Sequence, residues 1–465
     1  MKNLKTTLES FLRGKRWFMG KNRVLKSVYI RESVSISPES RDCFLWLLEV
    51  RYRDNHQDFY LLPVRLLEKG VQATLLLKTR SGEFHEAFGD ADFLRRFLKT
   101  LWNGIPLPGK NGKMIPKILY PFPKPRREIE VSGENREQSN SSLLFPGLGF
   151  LKLFRRQEPG AHPEAEMNAF LQRKHFPSSA KIYGSWTYRT KNESWMFALL
   201  QEDLSAFPNA WDRFKQNNTP VFFVKLGSEL ARMHLALSET KTPAFRPQKI
   251  TRSYLSELLE NIRSQARETQ KDIETALLQK TFPHRKLAEN LCLHLRENSE
   301  EVLSAETLNS VYGKRIRIHG DLHLGQILYR KPKLYFIDFE GEPARPLKER
   351  RIRQSPLKDV AGLLRSFDYA RAFFKTETRG YPEKFLEAYF QTIQKSGLLS
   401  GDSETNRKLL GLFVLEKALY EVRYELANRP DWFEIPGKAL LELLTASASG
   451  MKKETRKAGR ALKSR

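Results

Sequence analysis

Cysteine is scarce in this sequence: Cys43 and Cys292 are the only two among 465 residues. They lie in unrelated sequence contexts and lack the paired spacing of a zinc site. Two cysteines can form at most one disulfide, which cannot be the framework of a chain of this length. This scarcity excludes a disulfide-rich secreted scaffold and fits a reducing compartment. Both cysteines are predicted to be packing residues.

Long apolar runs are also missing. No segment approaches the roughly 20 apolar residues that span a membrane. Residues 1–10 lack the apolar run of a signal peptide. We therefore expect a cytoplasmic protein without a membrane partner, either a monomer or a homodimer.

Acidic residues are few relative to basic ones. The 54 Asp and Glu residues stand against 80 Lys and Arg residues, which gives a formal net charge of +26. Such a charge attracts polyanions by releasing their counterions. However, the basic residues are spread along the chain, their clearest cluster is the terminal segment 451–465, and no nucleic-acid-binding module surrounds them. A nucleic-acid partner is not expected.

The most informative segment is Arg317-Ile-His-Gly-Asp-Leu-His-Leu-Gly-Gln326, followed by Ile337-Asp-Phe-Glu340. Transfer of the γ-phosphate of ATP to a hydroxyl needs a carboxylate that orients the hydroxyl and accepts its proton. Asp321, in a loop after a predicted strand at 315–318, is the predicted catalytic base. Gln326 and Asp338, the latter ending a predicted strand at 334–337, offer oxygen ligands for one Mg²⁺.

The alternative is that Asp321 and Asp338 only cap loops at strand ends, as many aspartates do. Asp321 and Asp338 lie at the two loop ends that flank one predicted β-hairpin, and His319 is near the first. This arrangement favours a catalytic role for the two aspartates over a purely capping role. The pattern therefore predicts a phosphotransferase that uses ATP and Mg²⁺. His319 and Glu340, which adjoin these loop ends, are predicted to contact the substrate.

This constellation resembles the aminoglycoside-phosphotransferase branch of the protein-kinase-like superfamily. The continuation Asp338-Phe-Glu-Gly-Glu-Pro-Ala-Arg-Pro-Leu347 and the segment Ser355–Tyr369 narrow the resemblance to bacterial maltokinases, which convert maltose and ATP to maltose 1-phosphate for α-glucan synthesis. Gln326 stands where most of these kinases have Asn, and maltokinases share the Gln. The resemblance implies a bilobal α+β fold with a mostly antiparallel N-lobe, an N-terminal cap subdomain and a mainly helical C-lobe.

Two alternatives to a maltokinase stay open. In the first, the same catalytic and metal-binding residues phosphorylate another sugar or an aminoglycoside. In the second, the chain is a catalytically inactive, basic binding protein. Intact Lys152, Asp321 and Asp338 argue against the inactive protein.

Three regions are predicted: a cap subdomain at 1–90, an intermediate N-lobe subdomain at 91–200 and a helical C-lobe at 201–465. Alternating runs at Val24–Ile30, Cys43–Tyr52 and Phe59–Val64 predict an antiparallel sheet in the first. A helix at 91–102 and a proline-rich connector at 116–125 follow, and the connector indicates a boundary.

The intermediate region carries the predicted nucleotide-binding residues. A polar turn between two predicted strands, 128–132 and 143–145, is expected to wrap phosphates with its amides and hydroxyls, although a plain hairpin connection is the alternative. Lys152 is predicted to bind the α- and β-phosphates and to pair with a helix carboxylate, Glu166 in preference to Glu164; a solvent-facing edge-strand lysine is the alternative. The resemblance places an adenine-binding hinge at 201–204. The predicted nucleotide-contacting residues are Gln138, Ser139, Asn140, Ser141, Ser142, Lys152, Glu166, Gln201 and Glu202.

The C-lobe carries a predicted brace and the predicted acceptor site. Ser355 is expected to cap a helix on which Asp359 bonds back to the catalytic loop, with a favourable charge near a helix N-terminus as the alternative. In the last helix, 408–428, an apolar stripe docks the helix, and an opposite stripe is predicted to bind maltose because sugars present both apolar faces and hydroxyls. A packing role for this second stripe is the alternative. The second stripe consists of Lys417, Tyr420, Glu421 and Tyr424.

Overall fold

The structure is a computed structural model that describes residues 2–68, 74–79, 82–122, 136–137, 140–302, 312–343, 345–378 and 380–445. The chain divides into two compact units. Unit 1 comprises residues 1–207 and 335–351, and unit 2 comprises residues 208–334 and 352–465. The chain therefore returns to unit 1 for one short segment, which carries Asp338 and Glu340. The predicted three-region division stays a prediction.

The strands and helices are as follows, in chain order. The strands are β1 (Leu25–Ser35), β2 (Cys43–Tyr52), β3 (Gln57–Leu67), β4 (Leu75–Lys78), β5 (Glu83–Glu86), β6 (Leu107–Pro108), β7 (Gly112–Ile118), β8 (Arg136–Glu137), β9 (Ser141–Phe145), β10 (Gly149–Leu153), β11 (Arg156–Gln157), β12 (Ile182–Thr190), β13 (Ser194–Gln201), β14 (Gln248–Lys249), β15 (Lys314–Arg315), β16 (Ile327–Arg330) and β17 (Lys333–Phe336). The helices are α1 (Lys2–Arg13), α2 (Ala91–Asn103), α3 (Pro163–Arg173), α4 (Phe214–Asn217), α5 (Pro220–Ser238), α6 (Arg252–Leu277), α7 (Arg285–Val302), α8 (Leu347–Arg350), α9 (Leu357–Phe374), α10 (Tyr381–Ile393) and α11 (Ser403–Asn428). Residues 434–445 are also helical, and 3-10 turns occur at Leu324–Gln326, Gln394–Ser396 and Pro430–Trp432.

Unit 1 is built on two antiparallel sheets. One has the order β1-β2-β3-β5-β4, with β11 paired to β3, and the other has the order β6-β7-β12-β13-β10-β9-β8. Helix α2 packs its apolar face into a core shared with both sheets. The helix begins where the Asp90 side chain accepts from the Phe93 amide, and it ends at Gly104, whose φ of +64° suits glycine. The predicted antiparallel strands and the helix from residue 91 are confirmed.

The predicted proline-rich connector is partly wrong. Residues 112–118 form β7, and Pro116 lies opposite Trp186 of β12 in the same sheet. A proline lacks the amide proton that sheet pairing uses, which is why the sequence indicated a boundary there. The rest of the connector beyond residue 122, and the predicted strand at 128–132, lie outside the described residues.

Unit 2 is mainly helical. Helix α5 packs on α10, and α11 packs on both α6 and α9. The predicted apolar stripe of α11 is buried, including Leu412, Leu415 and Leu419. Helix α11 begins five residues before the prediction, because Asp402 caps it by accepting from the amides of Glu404 and Thr405. In the described parts of the chain, no helix is long and apolar enough to cross a membrane.

Two boundaries near the predicted catalytic loop also differ from prediction. The strand expected at 315–318 is reduced to β15, which ends at Arg315. Helix α9 has Pro356 rather than Ser355 at its N-cap position, and the Ser355 hydroxyl accepts a weak bond of 3.4 Å from the Leu357 amide. Proline restricts the backbone on its N-terminal side, so the helix begins one residue later than expected.

Candidate functional site

Lys152 lies in the interior of a sheet. Its strand, β10, is hydrogen-bonded to β9 on one side and to β13 on the other. The lysine is therefore not on an edge strand, and only 7% of it is exposed. The alternative of a solvent-facing edge lysine is wrong. A buried ammonium is costly unless it is paired, so its partners determine what this position does.

Three carboxylates surround the Lys152 ammonium, and we call these four residues the lysine cluster. Nζ of Lys152 lies 2.7 Å from Oε2 of Glu164 and 3.1 Å from Oε1 of Glu340, and it also contacts Oδ1 of Asp338. Burial would lower the pKa of Lys152, but the three carboxylates raise it well above its ordinary value. The lysine is held as a cation in unit 1.

The preferred partner of Lys152 was wrong. Glu164, on the first turn of α3, forms the ion pair, whereas Glu166 forms a two-point ion pair with Arg351 at 2.8 Å. Residues two apart on a helix project about 200° apart, so the two glutamates cannot face the same partner. Glu166 lies outside the lysine cluster, so the structure lends no support to its predicted nucleotide-binding role.

Glu340 makes a second buried contact besides that with Lys152. Its Oε1 accepts from Nδ2 of Asn140 at 2.8 Å as well as from Lys152, and the side chain is buried. Burial raises the pKa of Glu340 to about 7; Lys152 opposes this rise, while Asp338 and Glu164 add to it. Glu340 therefore joins Asn140 to the lysine within unit 1, and its contact with the acceptor stays a prediction.

Two of the residues predicted to lie in the phosphate-binding turn belong to a strand instead. Ser141 and Ser142 belong to β9, where Ser142 lies opposite Lys152 and the Ser141 hydroxyl accepts from Nε of Arg155 at 2.7 Å. Gln138 and Ser139 lie outside the described residues. Asn140 is buried at the start of the strand. Phosphate binding by this segment stays a prediction.

The predicted hinge residues lie at the end of β13. Nε2 of Gln201 donates to Oε1 of Glu164 at 2.9 Å, so Gln201 holds the glutamate that pairs with Lys152. Glu202 accepts from the backbone amide of Lys181 at 3.2 Å. Contacts of this segment with adenine stay a prediction.

Asp338 has the features of a metal-binding carboxylate. Its side chain is 31% exposed, whereas those of Glu164 and Glu340 are buried, and oxygens of all three lie within 4.8 Å of one another. Its φ of +66° is a left-handed conformation that aspartate tolerates better than most residues and that concentrates at functional sites. Carboxylate oxygens are ligands that Mg²⁺ prefers, so Asp338 fits the ion. Gln326 lies in unit 2, in the 3-10 turn.

The loop that carries Asp321 is tied to α9 within unit 2. The carboxylate of Asp359 accepts from the backbone amides of His319 at 2.8 Å and Gly320 at 2.9 Å, and it contacts Nε2 of His234 at 3.1 Å. Burial would raise the pKa of Asp359, but the His234 contact and the neighbouring charges hold it below its ordinary value. The bonds that the brace hypothesis requires are present, and their effect on catalysis stays a prediction.

His234 and His319 are both interior residues. His234 is fully buried between Asp359 and the Tyr389 hydroxyl, which confirms the expected hydrogen-bonded core histidine. His319 is only 1% exposed. Its backbone amide donates to Asp359 and the residue is buried, and this burial does not support the predicted contact of its side chain with substrate.

Asp321 lies beside the acceptor stripe of α11. Nζ of Lys417 is 3.5 Å from Oδ1 of Asp321 and 4.9 Å from the ring centre of Tyr420. The rings of Tyr420 and Tyr424 stack with centroids 6.2 Å apart and an interplanar angle of 28°. We call Lys417, Tyr420 and Tyr424 the acceptor face. It extends from the predicted base to the exposed ring of Tyr424.

Glu421 does not belong to the acceptor face. Its carboxylate is buried and accepts from Nε of Arg365 at 2.7 Å. Burial raises the pKa of Glu421, although Arg365 and Lys417 oppose the rise. Spacing along α11 put Glu421 next to Tyr420, but α9 covers it, so its predicted role in substrate binding is not supported.

Sequence reasoning missed two parts of this geometry. Glu158 and Arg350 form an ion pair of 3.2 Å beside the lysine cluster, and Phe373 of α9 stacks on Trp432 with centroids 5.5 Å apart. Neither pair has a local sequence signal, because each joins segments far apart in the chain.

Comparison with known proteins identifies the class of enzyme. Residues 138–345 match the phosphotransferase enzyme family, APH. This range contains the lysine cluster, Asp321 and Gln326. Together with the relatives below, the match identifies a phosphotransferase with a hydroxyl group as acceptor. The enzyme class expected from the sequence is confirmed.

The similar proteins include glucosamine kinases. One from Mycolicibacterium smegmatis (strain ATCC 700084 / mc(2)155) is 24% identical over 348 residues, which cover 67% of this chain and 79% of that protein. Another, from Streptacidiphilus jiangxiensis, is 29% identical over 145 residues, and this alignment spans only 28% of this chain and 32% of the relative.

A solved structure supports the fold. The structure of a glucosamine kinase in complex with glucosamine, ADP and inorganic phosphate has a TM-score of 0.59 at 19% identity, covering 90% of this chain and 94% of that one. The predicted α+β kinase-like fold, with an antiparallel-sheet N-terminal part and a helical C-terminal part, is confirmed. The phosphotransferase resemblance is supported in its broad form, whereas the narrower likeness to maltokinases belongs to the proposal below.

Proposed function

We propose that this protein is a sugar kinase that transfers the γ-phosphate of ATP to the anomeric hydroxyl of maltose, giving maltose 1-phosphate and ADP. One observation carries the acceptor part: Lys417 contacts both Asp321 and the Tyr420 ring, so the predicted base and a stacked aromatic face are contiguous in unit 2. ATP use is supported by the ADP bound in the similar glucosamine kinase.

The reaction divides between named side chains. Asp321 accepts the proton of the acceptor hydroxyl as its oxygen bonds to the γ-phosphorus, and the bond from that phosphorus to the β–γ bridging oxygen breaks to release ADP. Lys152 neutralises phosphate charge. Asp338 would hold Mg²⁺, which when bound neutralises further charge on the phosphates. The role of Gln326 as a metal ligand stays a prediction from the sequence. Asp359 keeps the Asp321 loop in place.

Maltose fits the acceptor face better than an amino sugar does. Lys417 puts a positive charge next to Asp321, and this opposes the ammonium of a protonated amino sugar. Carboxylates that would attract such an ammonium are already paired with cations along this part of α11. The pairs are Glu416 with Lys358, Glu421 with Arg365, and Glu425 with Arg429.

Glucosamine is the second candidate, since two similar curated proteins are glucosamine kinases. Binding of glucosamine requires an accessible carboxylate near Asp321 whose attraction for the ammonium exceeds the repulsion by Lys417. We favour maltose because its two glucose rings match the two stacked tyrosine rings, whereas glucosamine has a single ring and carries the ammonium that Lys417 repels. The proposed cytoplasmic location stays a prediction.

Replacing Tyr420 with alanine tests the acceptor face. Tyr420→Ala is expected to raise the maltose KM about five- to thirty-fold, corresponding to roughly 1–2 kcal/mol of lost contacts. The ATP KM should stay nearly unchanged because only acceptor contacts are removed. Steady-state kinetics with each substrate varied in turn measures both.

Leu419→Ala is the control for packing. Leu419 is fully buried on the opposite stripe of the same helix, so its truncation should lower the melting temperature. If Tyr420→Ala instead lowers the melting temperature while maltose kinetics are spared, the tyrosine face is a packing surface and the acceptor assignment is wrong.

A further inference from the structure

Aromatic side chains continue the acceptor face along the surface of unit 2. Beyond Tyr424, the guanidinium of Arg429 lies 5.4 Å from the Tyr424 ring centre and 4.7 Å from that of Trp432. The Trp432 ring stacks on Phe373 at 5.5 Å and 29°, and Phe373 lies 5.9 Å from Trp211. We call Tyr420, Tyr424, Trp432, Phe373 and Trp211 the aromatic row.

The exposure of the row is not explained by docking of its helices. Helix α11 already buries its apolar stripe, yet Phe373 is 50% exposed and Tyr424 is 44% exposed. The other three rings are only partly buried. Contiguous apolar surface of this kind, rimmed by polar groups, is typical of a binding site.

We propose that the aromatic row is an extended binding face for linear glucose oligosaccharides, continuous with the acceptor face at Asp321. The inference rests on the proposed sugar-kinase function, because it takes the acceptor face as its starting point. Successive glucose rings would stack on successive aromatic rings, and the Lys417, Arg429 and tyrosine polar groups at the row's edge would bond the sugar hydroxyls.

A single-stranded nucleic acid also stacks on aromatic rings, but it needs free positive charge for its phosphates. The two cations of the row are engaged by carboxylates: Lys417 contacts Asp321, and Arg429 forms a two-point ion pair with Glu425. Their charge is therefore largely neutralised. A neutral, hydroxyl-rich chain matches the row better than a polyanion.

The test is a binding series on the full-length wild-type protein without ATP. Isothermal titration with maltose, maltotriose and maltopentaose is expected to show affinity rising with chain length, by about tenfold from maltose to maltopentaose, the factor expected of one or two added ring contacts. Phe373→Ala should remove most of this gain. Phe373→Leu keeps an apolar side chain without the ring and should also remove it.

Tyr29→Ala is the matched control, since Tyr29 is a 51% exposed ring stacked near Arg51 in unit 1. It should keep the chain-length gain. The proposal is overturned if the affinity does not rise with chain length. It is also overturned if the gain survives in both Phe373 variants, or if a short oligouridylate binds more tightly than maltopentaose.

Failure of this inference is distinguishable from failure of the proposed function. Phosphorylation of maltose without any gain in affinity for longer chains rejects the extended face and leaves the kinase assignment standing. A chain-length gain in binding without phosphorylation of maltose supports the extended face and rejects the maltokinase assignment.

Discussion

Asp321→Asn is expected to lower kcat by about 10²–10⁴, the range for loss of a general base. Asparagine keeps the size of the side chain but cannot accept the proton of the acceptor hydroxyl. Nucleotide binding should survive, because the lysine cluster in unit 1 is untouched. Single-turnover phosphoryl transfer and ADP binding, measured on the same preparation, separate the two effects.

Asp212→Asn is the control for this substitution. Asp212 is an exposed aspartate of the same unit, outside the acceptor face and the brace. It should turn over normally. An Asp321→Asn enzyme with turnover near that of the wild type would remove Asp321 from the role of base and leave the acceptor face without its chemical partner.

Lys152→Met is expected to have the second large effect. Loss of a charge that stabilises the phosphates typically costs about 10²–10³ in kcat. The variant is also expected to be less stable than the wild type. The substitution leaves Glu164, Asp338 and Glu340 together without their cation, and an unpaired buried charge costs several kcal/mol.

The pH dependence of stability checks this account of Lys152→Met. Glu340 has a folded-state pKa of about 7 in the wild type, above its unfolded value, and removing Lys152 raises it further because the lysine lowers it. A group with a raised folded pKa contributes most stability at low pH and loses it as pH rises through that pKa. The melting-temperature deficit of the variant should therefore be smaller at pH 6 than at pH 8.

Lys113→Met is the matched control for Lys152→Met. Lys113 is an exposed lysine on β7, in the same sheet as Lys152. It should keep both turnover and melting temperature. Full activity of Lys152→Met at normal stability would show that the buried ammonium serves neither phosphate binding nor the cluster.

Local patterns predicted several elements of the fold well. Strand β2 was placed at its observed bounds because Cys43–Tyr52 is rich in apolar and aromatic residues between polar turns, and the start of α2 was placed at its observed residue. Pro116 misled the prediction, since the effect of a proline depends on which neighbours its strand has. Helix α11 was started late because its first turn is polar and is held by the Asp402 cap.

The candidate site was predicted in its residue types but not in its pairings. Lys152 and Asp338 were named from sequence, and the structure brings them into one cluster. The choice between Glu164 and Glu166 depends on the rotation of α3 against β10, which no local signal encodes. Likewise, whether Glu421 and His319 are exposed depends on how α9 covers them, and the stacking of Phe373 on Trp432 joins two distant segments.

The most direct test of the proposed function is the acceptor preference of the purified wild-type enzyme with ATP and Mg²⁺. Maltose, glucose, glucosamine, trehalose and kanamycin would be compared by kcat/KM, with ³¹P NMR locating the phosphate in each product. We predict the highest kcat/KM for maltose and a phosphate on its anomeric carbon. A preference for glucosamine or kanamycin, or a phosphate on any other position of maltose, would contradict the proposal.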